Sequence, residues 1–311
     1  MVKSPTYRNL AFFRILSKKG DDVAALVQKA KAVARLYSLA QAQNPPAQKF
    51  VDTTGKKFNT VHANTFKFYE ELNAVVQYEP ADAFNPELVG LFASIGIKKG
   101  KPFAPDARMK KILTEAVAIG NASARAISFA PREKSDYYYP DRQWYEVYGG
   151  AHDFTYKGEL NLDKRTRWHF PATGVTPAMS VPKLGSGSVY PTTARDSQGN
   201  YLDGGKAYTI TLPGPVPMNN FWSFNVYDGQ TRGMLETDQK NPGIDSNNPS
   251  LKPNADGSYT VWFGPVAPKG HEGNWVQTMP GKSYFVMLRL YGPLQPWFDK
   301  TWKPGDFELV K

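Results

Sequence analysis

A chain of 311 residues is long enough to bury a sizeable core and, at roughly 100 to 200 residues per domain, holds about two domains. It has no cysteine, which excludes disulfides, Cys-ligated zinc, iron–sulfur clusters and thiol nucleophiles. The net charge of +10 is spread along the chain, with 23 basic and 16 acidic residues before Asn161 and 15 and 12 from there on. The densest basic clusters, Lys98, Lys99 and Lys101 and then Arg108, Lys110 and Lys111, lack the Gly-aromatic pattern of an RNA-binding sheet. They read as solvated helix ends, and no nucleic-acid partner is expected. The first twenty residues carry Arg8 and Arg14 inside an apolar run and do not read as a secretory signal; no stretch reaches the ~18 to 20 apolar residues of a membrane span.

In chain order, Tyr7 to Leu16 alternates as a strand, with Tyr7, Ala11, Phe13 and Ile15 on one face and Leu10, Phe12 and Leu16 on the other. Asp21 or Asp22 then caps a helix to about Tyr37, where Leu26, Val27, Ala30 and Val33 recur at three and four, and Asn44, Pro45 and Pro46 stop it. A second helix is predicted over His62 to Gln77, striped by Phe66, Tyr69, Leu72 and Val76. Asn85 and Pro86 stand as N-cap and first residue of a third, closed by Gly96, and Pro105 opens the longest, to Phe129. A linker from Pro131 to Phe154 then gathers Tyr137, Tyr138, Tyr139, Trp144, Tyr145 and Tyr148 around Asp141, Arg142 and Glu146.

Strands are predicted over Arg167 to Phe170, Ser188 to Ala194, Ala207 to Leu212, Asn220 to Tyr227, Ser258 to Phe263, Trp275 to Thr278 and Lys282 to Tyr291. Turn chemistry at Asp196 to Asn200, Asp203 to Gly205 and Asn254 to Gly257 separates several of them. Trp222, Phe224 and Val226 share one strand face, whereas Tyr284 to Tyr291 is apolar on both faces except at Arg289, as suits a strand covered on both sides. The expected fold class is α+β: an antiparallel, jelly-roll-like β-sandwich with a segregated N-terminal helical layer. The expected division is an orphan strand over 1–20, a helical region with its aromatic linker over 21–160, and the sandwich over 161–311.

Several long motifs carry a resemblance. NNFWSFNVYD, the Thr231-Arg232 pair, NADGSYTVWFGP, NWVQTMPGK and LRLYGPLQPWFDKTWKPG resemble the bacterial family DUF1214. The stretch with LAQAQNPPA, NTVHANTFKFYEELN and GKPFAPDARMKKIL is similar to the helical part that follows the paired DUF1254 domain. The resemblance implies a jelly-roll-like sandwich with a helical layer and a periplasmic or secreted protein, and it implies no agreed activity. It also implies a first jelly roll ahead of the helices. Phe13, Arg14 and Ile15 are built like Leu288, Arg289 and Leu290 of the final strand, so Tyr7 to Leu16 is expected to close an upstream sheet absent from this chain. Its unpaired edges would then draw a second copy into a homo-oligomer.

The four histidines, His62, His152, His169 and His271, stand in no recognised ligand spacing, so no metal is expected, and no cofactor motif is present. The candidate ligand-binding residues are Trp144, Tyr145, Tyr148, Arg232, Glu272 and Trp275, because flat rings stack on apolar faces while carboxylate and guanidinium groups hold hydroxyls. The preferred reading is a binding module for a carbohydrate or another amphipathic small molecule. A glycan hydrolase using loop carboxylates among Glu272, Asp228, Glu236 and Asp299 is the first alternative, and a structural protein whose rings only pack is the second. Arg289 is expected to be a buried structural charge, paired with Asp299 or Asp228.

Overall fold

The structure is a computed structural model and describes residues 3–311 apart from 12, 14, 16–19, 57–60, 149–151, 173, 175, 176 and 240. The chain divides into two compact units: residues 1–58 with 69–105, and residues 59–68 with 106–311.

In the first unit, α1 (Val23–Val33) starts where Asp22 accepts a hydrogen bond from the Ala25 amide at 3.0 Å. It ends four residues before the predicted Tyr37, and only Leu26, Val27 and Ala30 of its apolar stripe are half-buried. The second helix, α2 (Lys67–Tyr78), begins in the other unit and ends in this one. Lys99 donates to the carbonyls of Gln77 and Glu79 at its C-terminus, where a cation meets both the orphan acceptors and the negative end of the helix dipole. Asn85 caps α3 (Pro86–Ser94) as its sequence predicts, and Gly96 follows at φ +89°. The expected opening strand is not found: no described residue of 7–16 is in a strand, and Phe12, Arg14 and Leu16 lie outside the described residues. The Tyr7 and Arg8 amides instead donate to the Glu79 carboxylate at 2.6 and 3.4 Å, and Arg8 lies 3.7 Å over the Tyr78 ring. One carboxylate thus serves amides that an isolated strand would leave without a ladder.

The second unit holds the sandwich. Asp106 caps α4 (Ala107–Phe129) through the Met109 amide at 2.7 Å. A small hairpin, β1 (Thr155–Tyr156) and β2 (Glu159–Leu160), precedes α5 (Leu162–His169). The strand expected over Arg167 to Phe170 does not form; that segment is helical to His169 instead, because Asn161 caps the turn before it and the helix buries Arg167 and Trp168 together. After α6 (Pro177–Ser180) come β3 (Ser188–Val189), β4 (Thr192–Thr193), β5 (Tyr208–Leu212), β6 (Trp222–Asp228), β7 (Gly243–Asp245), β8 (Tyr259–Gly264), β9 (Trp275–Gln277), β10 (Tyr284–Tyr291), α7 (Gln295–Phe298) and β11 (Glu308–Leu309).

One sheet runs β3-β10-β6-β7, with β4 also on β10, and the other runs β11-β5-β8-β9. All pairs are antiparallel except β8 with β9, where the intervening loop returns the chain in the same direction. Phe224 of β6 meets Phe263 of β8 edge-on at 5.8 Å, and Trp222, Val226, Leu288, Ile210 and Val276 lie in the same buried core. The fold is therefore α+β with a β-sandwich. The outer face of β10 is covered too, since Phe285 packs on Phe129 of α4 at 5.0 Å and stacks on Tyr227 at 5.0 Å.

Arg289, on that outer face, donates to the Tyr227 hydroxyl and lies 6.0 Å over the Tyr190 ring. Neither expected acid reaches it. Asp228 is paired with Lys282 and accepts the Gln230 and Thr231 amides, while Asp299 is exposed and accepts from Thr301. Phenols and ring faces replace the carboxylate. Tyr227→Phe should therefore cost about 1–3 kcal/mol by leaving a mostly buried guanidinium short of an acceptor. Urea unfolding midpoints equal to the parent's would remove that role.

Candidate functional site

The linker rings do not form a separate surface, because the linker is a hairpin that extends the first sheet. Tyr138 and Trp144 pair through the backbone at 2.9 Å, and Tyr145 and Thr192 exchange amide–carbonyl bonds at 3.0 and 3.1 Å. The C-terminal tail clasps this hairpin. Tyr138 and Tyr139 donate their hydroxyls to the carbonyls of Trp297 and Trp302, each at 2.8 Å, and the Trp144 indole donates to Gly305 at 2.8 Å. Tyr138 and Trp297 stack at 4.2 Å, 7° from parallel. The aromatic linker and the motif LQPWFDKTWKPG therefore recognise each other.

Between this hairpin, β3 and α7 opens a cleft of about 250 Å³. Tyr138, Tyr148, Tyr190, Trp297 and Phe298 supply its rings, Val147, Met179, Val181, Val189 and two prolines its aliphatic wall, and Glu146, Ser180 and Ser188 its polar groups. One buried polar group on this lining is unsatisfied and a second is partly desolvated. The Tyr148 hydroxyl is buried and has no hydrogen-bond partner, while burial drives its pKa upward and keeps it a donor. The Glu146 side chain retains surface open to solvent, yet protein surrounds it, and this desolvation raises its carboxyl against the opposing pull of Lys164 and Lys300. Lys300, at φ +62°, sits 4.6 Å over the Tyr138 ring beside the same wall.

The six ligand-binding candidates do not converge. Trp144 is fully buried and stacks on Phe224 in the sandwich core. Tyr145 is 2% exposed, and only Tyr148, packed at 4.2 Å on Trp168, borders the cleft. Arg232 is buried against Phe170, Glu272 is exposed and accepts the Gly270 amide, and Trp275 donates its indole to Gly264 across β8 and β9. None of Glu272, Asp228, Glu236 and Asp299 lines the cleft, so the two facing carboxylates of a glycosidase are not assembled there. Tyr190, Trp297, Phe298 and Glu146 were missed as site residues. Their signal was the mixture of rings and acid in the linker together with the ring-rich C-terminal motif.

Comparisons with known proteins stop at the family. The model of DUF1214, a protein family of unknown function, matches residues 187–295. The VPA0106 protein from Vibrio parahaemolyticus is similar in structure, with a TM-score of 0.43 and 18% identity over 94% of this chain and 66% of its own. An uncharacterized protein from Burkholderia cenocepacia gives a TM-score of 0.34 and 18% identity over 68% of this chain and 46% of its own. The chain thus spans less than two thirds of the length of either. No curated protein matches it. Among the described residues, no helix is long and apolar enough to cross a membrane.

Proposed function

We propose that this chain, which carries the DUF1214 domain over residues 187–295, is a binding module for a small amphipathic molecule held in the cleft of Tyr138, Tyr148, Tyr190 and Trp297. The observation that supports the reading is the pairing of ring walls with a buried polar group lacking a partner, the Tyr148 hydroxyl, next to a carboxyl, Glu146, whose pKa desolvation raises. A ligand with one apolar face and a single acceptor would cover the rings and satisfy the buried hydroxyl. A free sugar fits less well, because it brings hydroxyls on several sides and the lining offers few donors; the Ser188 hydroxyl is already spent on Tyr190. A glycoside with an apolar aglycone combines both features.

Calorimetric titration with phenol, phenyl β-glucoside and methyl β-glucoside tests this. Phenol and the phenyl glucoside should bind, and Tyr148→Phe should weaken both roughly five- to tenfold, the effect of one lost hydrogen bond of about 1 to 1.4 kcal/mol. Binding of methyl glucoside alone would transfer the site to carbohydrate. No heat from any of the three, or affinities indifferent to Tyr148→Phe, would overturn the reading.

A further inference from the structure

Away from the cleft, the turn after β6 carries a cation that no described carboxylate neutralises. Arg232 is 3% exposed, and its guanidinium lies 4.2 Å over the Phe170 ring. It donates to the carbonyl of Gln230 at 3.0 Å and to the Asn64 amide oxygen at 3.3 Å, while its buried Nε has no acceptor. Among the described residues no carboxylate pairs with it; the neighbouring charge is a second guanidinium, Arg125, whose repulsion adds to burial in pulling the Arg232 pKa down. Among the described residues Arg125 has no hydrogen-bond partner, and its Nε is likewise buried without an acceptor. Arg232 also holds φ at +62°, a left-handed conformation that costs a non-glycine residue free energy and tends to persist where function requires it.

The sequence of α4 places more polar groups on the same side. Positions 121, 124, 125 and 128 follow the spacing i, i+3, i+4, i+7 and share one helix face. Ala124 packs against the cluster of Phe129, Phe170 and Phe285 on which Arg232 rests, so the face is turned toward it. On that face the Ser128 hydroxyl, a possible donor, is buried without a partner; the unmet Asn121 atom is the amide oxygen, which accepts and does not serve an anion. Two neighbouring like charges and an unmet hydroxyl are costly as they stand.

We propose that Arg125 and Arg232 form a binding site for a small oxyanion, the carboxylate or phosphate group of a ligand, with the Ser128 hydroxyl beside it. The planar guanidinium fork suits a group with two or more oxygens, and a half-buried Arg125 gives that group a way in. The site shares no residue with the aromatic cleft and stands or falls apart from it.

The test is thermal unfolding of the full chain in sodium phosphate, sodium acetate or sodium chloride at matched ionic strength, with phosphorus NMR line broadening as a direct readout. Phosphate or acetate should raise Tm saturably beyond chloride, reaching about a hundredfold gain in the folded-to-unfolded ratio at one hundred times Kd. Stabilisation by phosphate alone would mark a phosphoryl site, and by both a general oxyanion site. Arg125→Met, at a position open enough to fold, should abolish the anion-dependent rise and melt no lower than the parent in chloride, because it removes the repulsion. Arg125→Lys should keep part of the rise. An anion effect no larger than that of chloride, or one that survives Arg125→Met, would overturn the proposal.

Discussion

Asp136→Asn is expected to lower the unfolding free energy by about 3–5 kcal/mol, among the largest effects of any single substitution in this chain. Asp136 is the acid between two bases, 2.6 Å from the Arg167 guanidinium and 3.5 Å from the Lys164 ammonium. Arg167 is 1% exposed and also reaches the carbonyls of Glu146 and Ile127, so one head group ties α5 to the hairpin and to the end of α4. Neutralising the acid leaves that guanidinium buried and uncompensated, and the cost of that stranded charge, not the pair's net worth, is what the substitution reads. Removing both charges in Asp136→Asn with Arg167→Met should recover most of the loss, since a paired charge replaced by apolar volume is often neutral. Urea unfolding of the parent, the single and the double variant at pH 7 gives the cycle. A single variant as stable as the parent, or a double variant no better than the single, would show that the triad does not hold these elements together.

That triad also shows where reading the residues ran out. Arg167, Trp168, His169 and Phe170 alternate charge and ring, which is the pattern of a half-buried strand, but Asn161 caps a helix ahead of them and Arg167 goes inward because Asp136 lies thirty-one residues upstream to meet it. A long-range charge pair leaves no local periodicity, so the period alone misassigned the segment. The central strands were legible for the opposite reason: Trp222, Phe224 and Val226 alternate with period two and all enter one core. The helix caps at Asp22 and Asn85 were legible as well, because capping is decided within three residues. The short strands β7 and β11 escaped notice; three and two residues carry too little pattern to register. For the cleft, the residue types were visible and their grouping was not. Glu146 and Trp297 are 151 positions apart, and only the clasp of the hairpin by the C-terminal tail brings them to one wall.

Trp144→Ala is expected to cost about 3–5 kcal/mol, the range for truncating a fully buried large aromatic. The ring is stacked on Phe224, tilted against Phe307 at 6.2 Å, and its indole N–H is matched to the Gly305 carbonyl, so the alanine loses packing and strands an acceptor at once. Trp144→Phe keeps most of the volume and should cost clearly less. The pair of variants also separates packing from recognition. If Trp144 contacted ligand, Trp144→Phe would weaken phenol binding more than it lowers stability. The structure places the ring on the core side of the hairpin while Tyr138 and Tyr148 border the cleft. Trp144→Phe should therefore bind phenol within about twofold of the parent, under ~0.4 kcal/mol, while melting at lower urea. Loss of phenol binding at unchanged urea midpoint would return Trp144 to the ligand surface and would require the hairpin to present its other face.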